Sequence, residues 1–295
     1  MRRTTRYEST SRRAGLSRRD FLGHSAAATI ATAAIGLGVR SSGVAAFQAT
    51  PAAGVESGYV SLGDLEMYYE RHGAGGQPLV LLHGGLITID LAFGMMIPAL
   101  SATREVIAVE LQGHGHTADV DRPMSYEQMA DDTVALLEEI GVTNADFLGY
   151  SLGGGVALQI AIRHPEVVRK LVLASTPFRG DGWHPAILGS MSALNEEAAA
   201  AMEATPLYDA YAAVAPRPED WPRLVTKTGQ LTTSEYDWAD DVASITAPTL
   251  LIYGDADSVL PHHILELFVL LGGAVVGDMG EVGRSQLAIL PNTGH

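Results

Sequence analysis

The chain alternates between two hydrophobic periods. Residues 58–62 and 65–71 place apolar and polar side chains in turn on either side of Gly63 and Asp64, the pattern of a hairpin with one buried face. Residues 79–82, 105–111, 145–148, 168–174, 249–254 and 287–290 are short, mostly apolar runs, as expected of strands covered on both faces. Between them the spacing changes. Residues 126–140 repeat apolar side chains at Met129, Val134, Leu137 and Ile140 behind Ser125, which predicts a helix with a serine N-cap. Residues 154–163 read as a second helix. Strands that alternate with helices predict an α/β architecture. Its sheet should be twisted and mostly parallel, with helices on its faces and right-handed crossovers. The period repeats nowhere as a sequence motif.

The alternation breaks over about 177–240. That stretch is helix-like and interrupted by Pro206, Pro216, Pro218 and Pro222, so it is expected to be a helical cap inserted between core strands. It holds Trp183, Trp221 and Trp238, with Tyr208, Tyr211, Met191 and Met202. A cap carrying such side chains over a reactive group would form an apolar pocket, with Trp183, Met191 and Trp221 as wall residues. The same side chains also serve as glue between cap and core.

Composition adds a destination. Residues 17–22 read Ser-Arg-Arg-Asp-Phe-Leu, behind Arg2, Arg3, Arg6, Arg12 and Arg13 and ahead of an Ala/Gly-rich run over 26–39. This predicts a twin-arginine export signal over 1–46, cleaved near Ala46, then a linker over 47–56 and one domain over 57–295. The apolar run is shorter than the roughly 20 residues that span a bilayer. The expected location is periplasmic or extracellular, with no stable membrane span after cleavage. The sequence contains no cysteine, which suits export in the folded state and excludes a thiol nucleophile. Net charge is −15, and without residues 1–46 the remainder carries 11 basic and 32 acidic residues, a net of −21. Such a surface repels nucleic acid and anionic membranes, leaving a small molecule as the expected partner. No phosphate loop or dinucleotide fingerprint is present, so no cofactor is expected.

The chemistry centres on Gly149-Tyr150-Ser151-Leu152-Gly153, a G-x-S-x-G stretch between a strand pattern and a helix pattern. A sharp strand-to-helix turn holds such a serine at the tip of the sheet, with small neighbours allowing close approach. Serine needs a base, and the base needs an orienting acid. Asp255 and Asp257 follow the run at 249–254, and His295 follows the run at 287–290. All lie just past strand C-terminal ends, where open α/β sheets place their ligands. One oxyanion donor is expected from the backbone N–H after the serine, that of Leu152.

Leu82-His83-Gly84-Gly85, 149–153, Gly254-Asp255-Ala256-Asp257 and Asn292-Thr293-Gly294-His295 occur in this order, and over about 57–295 the chain resembles the α/β-hydrolase superfamily. The resemblance implies Ser151 as nucleophile, His295 as general base and Asp257 as triad acid, with Asp255 bonding loop amides. It implies Gly85 as the second oxyanion donor, Leu86 as a substitute donor and pocket residue, and His83 as structural. It also implies a structural turn at 113–116, so that His114 and His116 are not read as metal ligands. His262 and His263, at a helix start, are expected to be exposed. Family members continue past the histidine into a final helix. Here the chain stops at His295, so a less-covered sheet face and a loosely held base are expected. The activity implied is that of a secreted serine hydrolase, most directly a carboxylic-ester hydrolase for apolar acyl esters. The same triad also serves C–C bond hydrolysis, amide or iminopeptidase chemistry and perhydrolysis, and an inactive truncated homologue is a further reading. Oligomeric state is left open.

Overall fold

The computed structural model describes residues 55–295. The twin-arginine segment and nearly all of the linker lie outside the described residues.

Among the described residues eight strands form one sheet in the order β1-β2-β4-β3-β5-β6-β7-β8. The opening hairpin is β1 (Glu56–Leu62) and β2 (Leu65–His72), paired antiparallel through a tight turn that joins Leu62 to Leu65. β2 also runs antiparallel to β4 (Val106–Val109). From β4 onward every pairing is parallel, through β3 (Leu79–Leu82), β5 (Ala145–Tyr150), β6 (Val168–Ala174), β7 (Thr249–Gly254) and β8 (Ser285–Leu290). All residues of β3 and β4 are buried, as their apolar runs require in the centre of a covered sheet.

Six helices frame the sheet: α1 (Ile89–Phe93), α2 (Ile97–Leu100), α3 (Tyr126–Glu139), α4 (Leu152–Arg163), α9 (Ala239–Ala243) and α10 (Pro261–Leu270). The Ser125 hydroxyl caps α3 by accepting from the Gln128 N–H. α4 begins at Leu152 rather than at 154, because the serine turn passes directly into the helix.

Four helices lie in the stretch between β6 and α9: α5 (Pro185–Ser192), α6 (Glu196–Met202), α7 (Pro206–Ala212) and α8 (Trp221–Thr232). The helical run breaks between α5 and α6 at Asn195, whose side chain accepts from the Ala198 N–H and starts α6 afresh. α8 is tied to the core by ions: the Asp119 carboxylate, nearly fully buried, meets Lys227 Nζ at 2.6 Å and Arg223 Nε at 2.8 Å. The Gln112 side-chain amide donates to the same carboxylate at 2.8 Å. Among the described residues no helix is long and apolar enough to cross a membrane.

Candidate active site

Ser151 sits where β5 ends and α4 begins, with φ 53° and ψ −117°. For a residue with a Cβ this is a strained conformation, and the surroundings must over-determine it. They do so by close approach. A Cβ on Gly153 would lie 2.2 Å from the Leu82 carbonyl oxygen, and one on Gly149 would lie 2.4 Å from the Gly153 oxygen. The turn is further pinned by the Ser151 N–H to the Ala174 carbonyl at 2.9 Å and by the Thr176 hydroxyl to the Ser151 carbonyl at 3.1 Å.

The structure brings Ser151, His295 and Asp257 together. His295 Nε2 lies 2.9 Å from Ser151 Oγ, and its Nδ1 donates to Asp257 Oδ1 at 3.1 Å. Asp257 is nearly fully buried and accepts from four donors. Oδ1 takes the His295 ring and the Val259 N–H at 3.0 Å; Oδ2 takes the Ser175 hydroxyl at 2.6 Å and the Gly254 N–H at 3.2 Å. Burial alone would raise this carboxyl. The His295 ring, the Ser175 hydroxyl and the Val259 amide outweigh it and hold the group below the usual carboxylate range.

His295 is held from three sides. Asp255 Oδ1 accepts from the Thr293 N–H at 3.2 Å, and the Ala256 N–H donates to the Thr293 carbonyl at 3.0 Å, clamping the loop after β8 to the loop after β7. The rings of Tyr150 and Trp183 flank the imidazole at centroid distances of 5.4 and 5.5 Å.

A cavity of about 180 Å³ opens at Ser151 and His295. Gly85, Leu86 and Leu152 line its core side, and Trp183, Met191, Leu194 and Leu207 line the side made by the helical insertion. Among the described residues no Asp, Glu, Lys or Arg lines it. Gly85 and Leu152 adjoin: a Cβ on Gly85 would be 3.4 Å from Leu152 Cδ1. Leu152 is the first residue of α4, so its N–H has no partner within the helix.

Three expectations are corrected. Trp221 does not line the cavity; it is fully buried behind it, donating its ring N–H to the Ala199 carbonyl and packed edge-on to Tyr208 and at a tilt against Tyr211. Leu86 is not free to act as a donor, because its N–H is bonded to His114 Nε2 at 3.0 Å. His263 is buried rather than exposed. It stacks on Phe178, and its Nε2 accepts the Phe178 N–H at 3.1 Å, so it faces inward while His262 faces out. Sequence reasoning missed Ser175. It follows β6 at φ 53°, and only the parallel pairing of β6 with β7 carries it to the acid. Nothing in its local sequence marks it.

Among the described residues no group of three His, Asp or Glu side chains is placed to hold a metal. The turn at 113–116 is engaged otherwise: His114 bonds Leu86, and His116 pairs with Glu110 at 2.8 Å.

The family model described as alpha/beta hydrolase fold matches residues 77–213. A 2-hydroxymuconate semialdehyde hydrolase of Pseudomonas sp. (strain CF600) is 38% identical over 101 residues, which is 33% of this chain and 36% of that protein. A pimeloyl-[acyl-carrier protein] methyl ester esterase of Edwardsiella ictaluri (strain 93-146) is 28% identical over 251 residues, covering 78% of this chain and 90% of that protein. Three curated relatives at 34% to 38% identity are spanned over only 36% to 46% of their own length. The crystal structure of the enol-lactonase from Burkholderia xenovorans LB400 superposes with a TM-score of 0.59 at 21% identity, over 79% of this chain and 90% of that one. That likeness is one of fold.

Proposed function

We propose that this chain is a member of the α/β-hydrolase superfamily and an exported serine hydrolase of uncharged carboxylic esters, acting through an acyl-enzyme. The observation that carries this reading is the continuous path from Ser151 Oγ through the His295 ring to the buried Asp257 carboxylate, at 2.9 and 3.1 Å. Ser151 Oγ attacks the ester carbonyl while its proton passes to His295 Nε2. The Asp257 carboxylate accepts from Nδ1–H, fixes the tautomer and stabilises the imidazolium that forms. The N–H groups of Gly85 and Leu152 face the developing oxyanion, each worth about 3 kcal/mol of barrier. His295 then returns the proton to the leaving alkoxide. Water, activated by the same ring, releases the acid.

The uncharged substrate follows from the wall. A charged group would lose its hydration in a cavity whose wall holds no carboxylate, ammonium or guanidinium to pair with it. A relative matched over 90% of its length is a methyl ester esterase, which favours ester over carbon–carbon cleavage. The Arg18-Arg19 segment supports export by the twin-arginine route.

The test is fluorophosphonate labelling of the purified protein with S151A beside it, followed by a panel of p-nitrophenyl esters, a proline naphthylamide and a vinylogous diketone. Labelling at Ser151 with a burst of p-nitrophenol is expected. A folded protein that does not label sinks the proposal, and turnover of the diketone alone replaces ester with C–C hydrolysis.

A further inference from the structure

The loop over 83–88, between β3 and α1, carries the Gly85 N–H. It contains Leu86 at φ 63°, a left-handed conformation that costs a residue with a Cβ about 1–2 kcal/mol. The strain is offset by a single acceptor, the Nε2 of His114, which takes the Leu86 N–H at 3.0 Å. His114 belongs to the neighbouring loop, after β4. Its Nδ1 lies 3.0 Å from the Gln112 carbonyl oxygen. A carbonyl only accepts, so the proton sits on Nδ1 and Nε2 is left as a lone pair.

The same arrangement recurs in reverse. His83, on the first loop, donates from Nδ1 to the Gly84 carbonyl at 2.7 Å and accepts the Leu111 N–H of the second loop at Nε2, at 3.1 Å. Each loop therefore supplies a ring that takes an amide of the other, with ring centroids 4.9 Å apart. Both rings are fully buried. Burial pushes both down, His83 to about 3 and His114 to about 4, so both stay neutral acceptors near neutral pH. A third tie, from the Ile89 N–H to Glu110 Oε1 at 3.3 Å, fixes the far end of the loop.

The geometry points to His114 as a positioning residue for the oxyanion site: by holding the Leu86 N–H it fixes the Gly85–Leu86 peptide, and so Gly85 Cα, on one side of the Gly85 N–H, while His83 holds the Gly84 carbonyl on the other. The Leu86 amide is consumed in the bond. Among the described residues the Gly85 N–H donates to no protein acceptor, and Gly85 lies against Leu152, the other donor. Without the imidazole acceptor Leu86 relaxes toward negative φ, the Gly85–Leu86 peptide turns, and the Gly85 N–H shifts with its Cα. This inference rests on the serine-hydrolase reading, and it makes a claim that reading does not. His114 touches no reacting atom, yet its loss weakens binding of the tetrahedral state and spares binding of the ester.

The experiment uses two substitutions of opposite expected effect. In H114N the amide is able to donate to the Gln112 carbonyl in place of Nδ1 but is too short to reach Leu86. In H114Q the carbonyl oxygen reaches the place of Nε2 and accepts from Leu86. Read out are the fluorophosphonate labelling rate at Ser151, the inhibition constant of a trifluoromethyl ketone, and KM for a p-nitrophenyl ester. For H114N, labelling and ketone affinity are expected to fall about 100-fold, the scale of one lost oxyanion donor, with KM within threefold. H114Q is expected to retain at least a tenth of wild-type labelling. Melting temperatures of both variants separate folding from positioning. Labelling of H114N within threefold of wild type overturns the inference, as does a loss shared equally between KM and ketone affinity, while leaving the serine-hydrolase reading intact. Failure of the wild type to label overturns both.

Discussion

Through His83 and His114 alone, lowering the pH from 6.5 to 5.5 is expected to destabilise the fold by about 2 kcal/mol, because neither imidazole can charge where it sits. His83 and His114 are fully buried, and each already uses Nε2 as an acceptor. Burial holds them at about 3 and about 4, against an ordinary value of 6.5. In the unfolded chain each ring is half protonated at pH 6.5 and almost fully protonated at pH 5.5. In the fold neither takes up a proton over that interval. The unfolded state binds more protons, so stability falls as pH falls. The loss is about 1 kcal/mol per ring. Its size is set by the ordinary value, since both folded values lie well below 5.5. His263, buried on Phe178 and pushed down to about 4, acts with the same sign. His116 acts oppositely: burial would lower it, but the Glu110 carboxylate outweighs burial and raises it. Its stabilisation is fully present below 6.5, so it adds little within this interval. Asp257, held low, loses its contribution only at more acid pH. Urea denaturation followed by tryptophan fluorescence at pH 6.5, 6.0 and 5.5, at fixed ionic strength, measures the slope. Nitrogen-15 shifts of the histidines identify which rings titrate. A stability that stays flat or rises across the interval, or a His83 or His114 ring that titrates above 5.5, refutes the reasoning.

Four substitutions probe the site and its support. S175A removes one of the four donors to Asp257, an interaction of about 1.5–3 kcal/mol for a charged acceptor; kcat is expected to fall with KM unchanged, and an unchanged kcat would remove Ser175 from the positioning of the acid. G153A places a Cβ 2.2 Å from the Leu82 oxygen, so a loss of at least about 2 kcal/mol is expected, read by urea denaturation; a wild-type midpoint would contradict the close approach. W221A is expected to cost about 3–5 kcal/mol of stability with KM unchanged in the folded fraction. M191A, on the cavity wall, is expected to do the reverse, raising KM for longer acyl chains at small cost in stability; the same KM change in both would erase the distinction between core and wall.

Local pattern went far where one period or one motif sufficed. The runs at 79–82 and 249–254 are strands because a continuous apolar segment of that length suits only a covered sheet. Ser125 starts α3 because its hydroxyl reaches an otherwise unpaired N–H two residues into the helix. The G-x-S-x-G stretch selected Ser151 because only small neighbours let strand and helix meet at that angle. Period alone was less reliable on the helical insertion. Trp221 and Trp183 look alike in the sequence, but one packs behind the cavity and the other against His295. His263 looked like a surface residue at a helix start, and the ring of Phe178 took it inward.

What the sequence determined by itself is the alternation of elements, the serine at its turn, and the order in which base and acid follow. Those depend on neighbours a few residues away, through backbone sterics, spacing and capping. What only the tertiary structure decided is which groups meet across the sheet: Ser175 with Asp257, His114 with Leu86, and the clamp that holds His295. These contacts join residues 82, 28 and 38 positions apart. They arise from the parallel registers of β3 through β8, which bring distant loops to one edge, and no local pattern records that a loop will find its partner there.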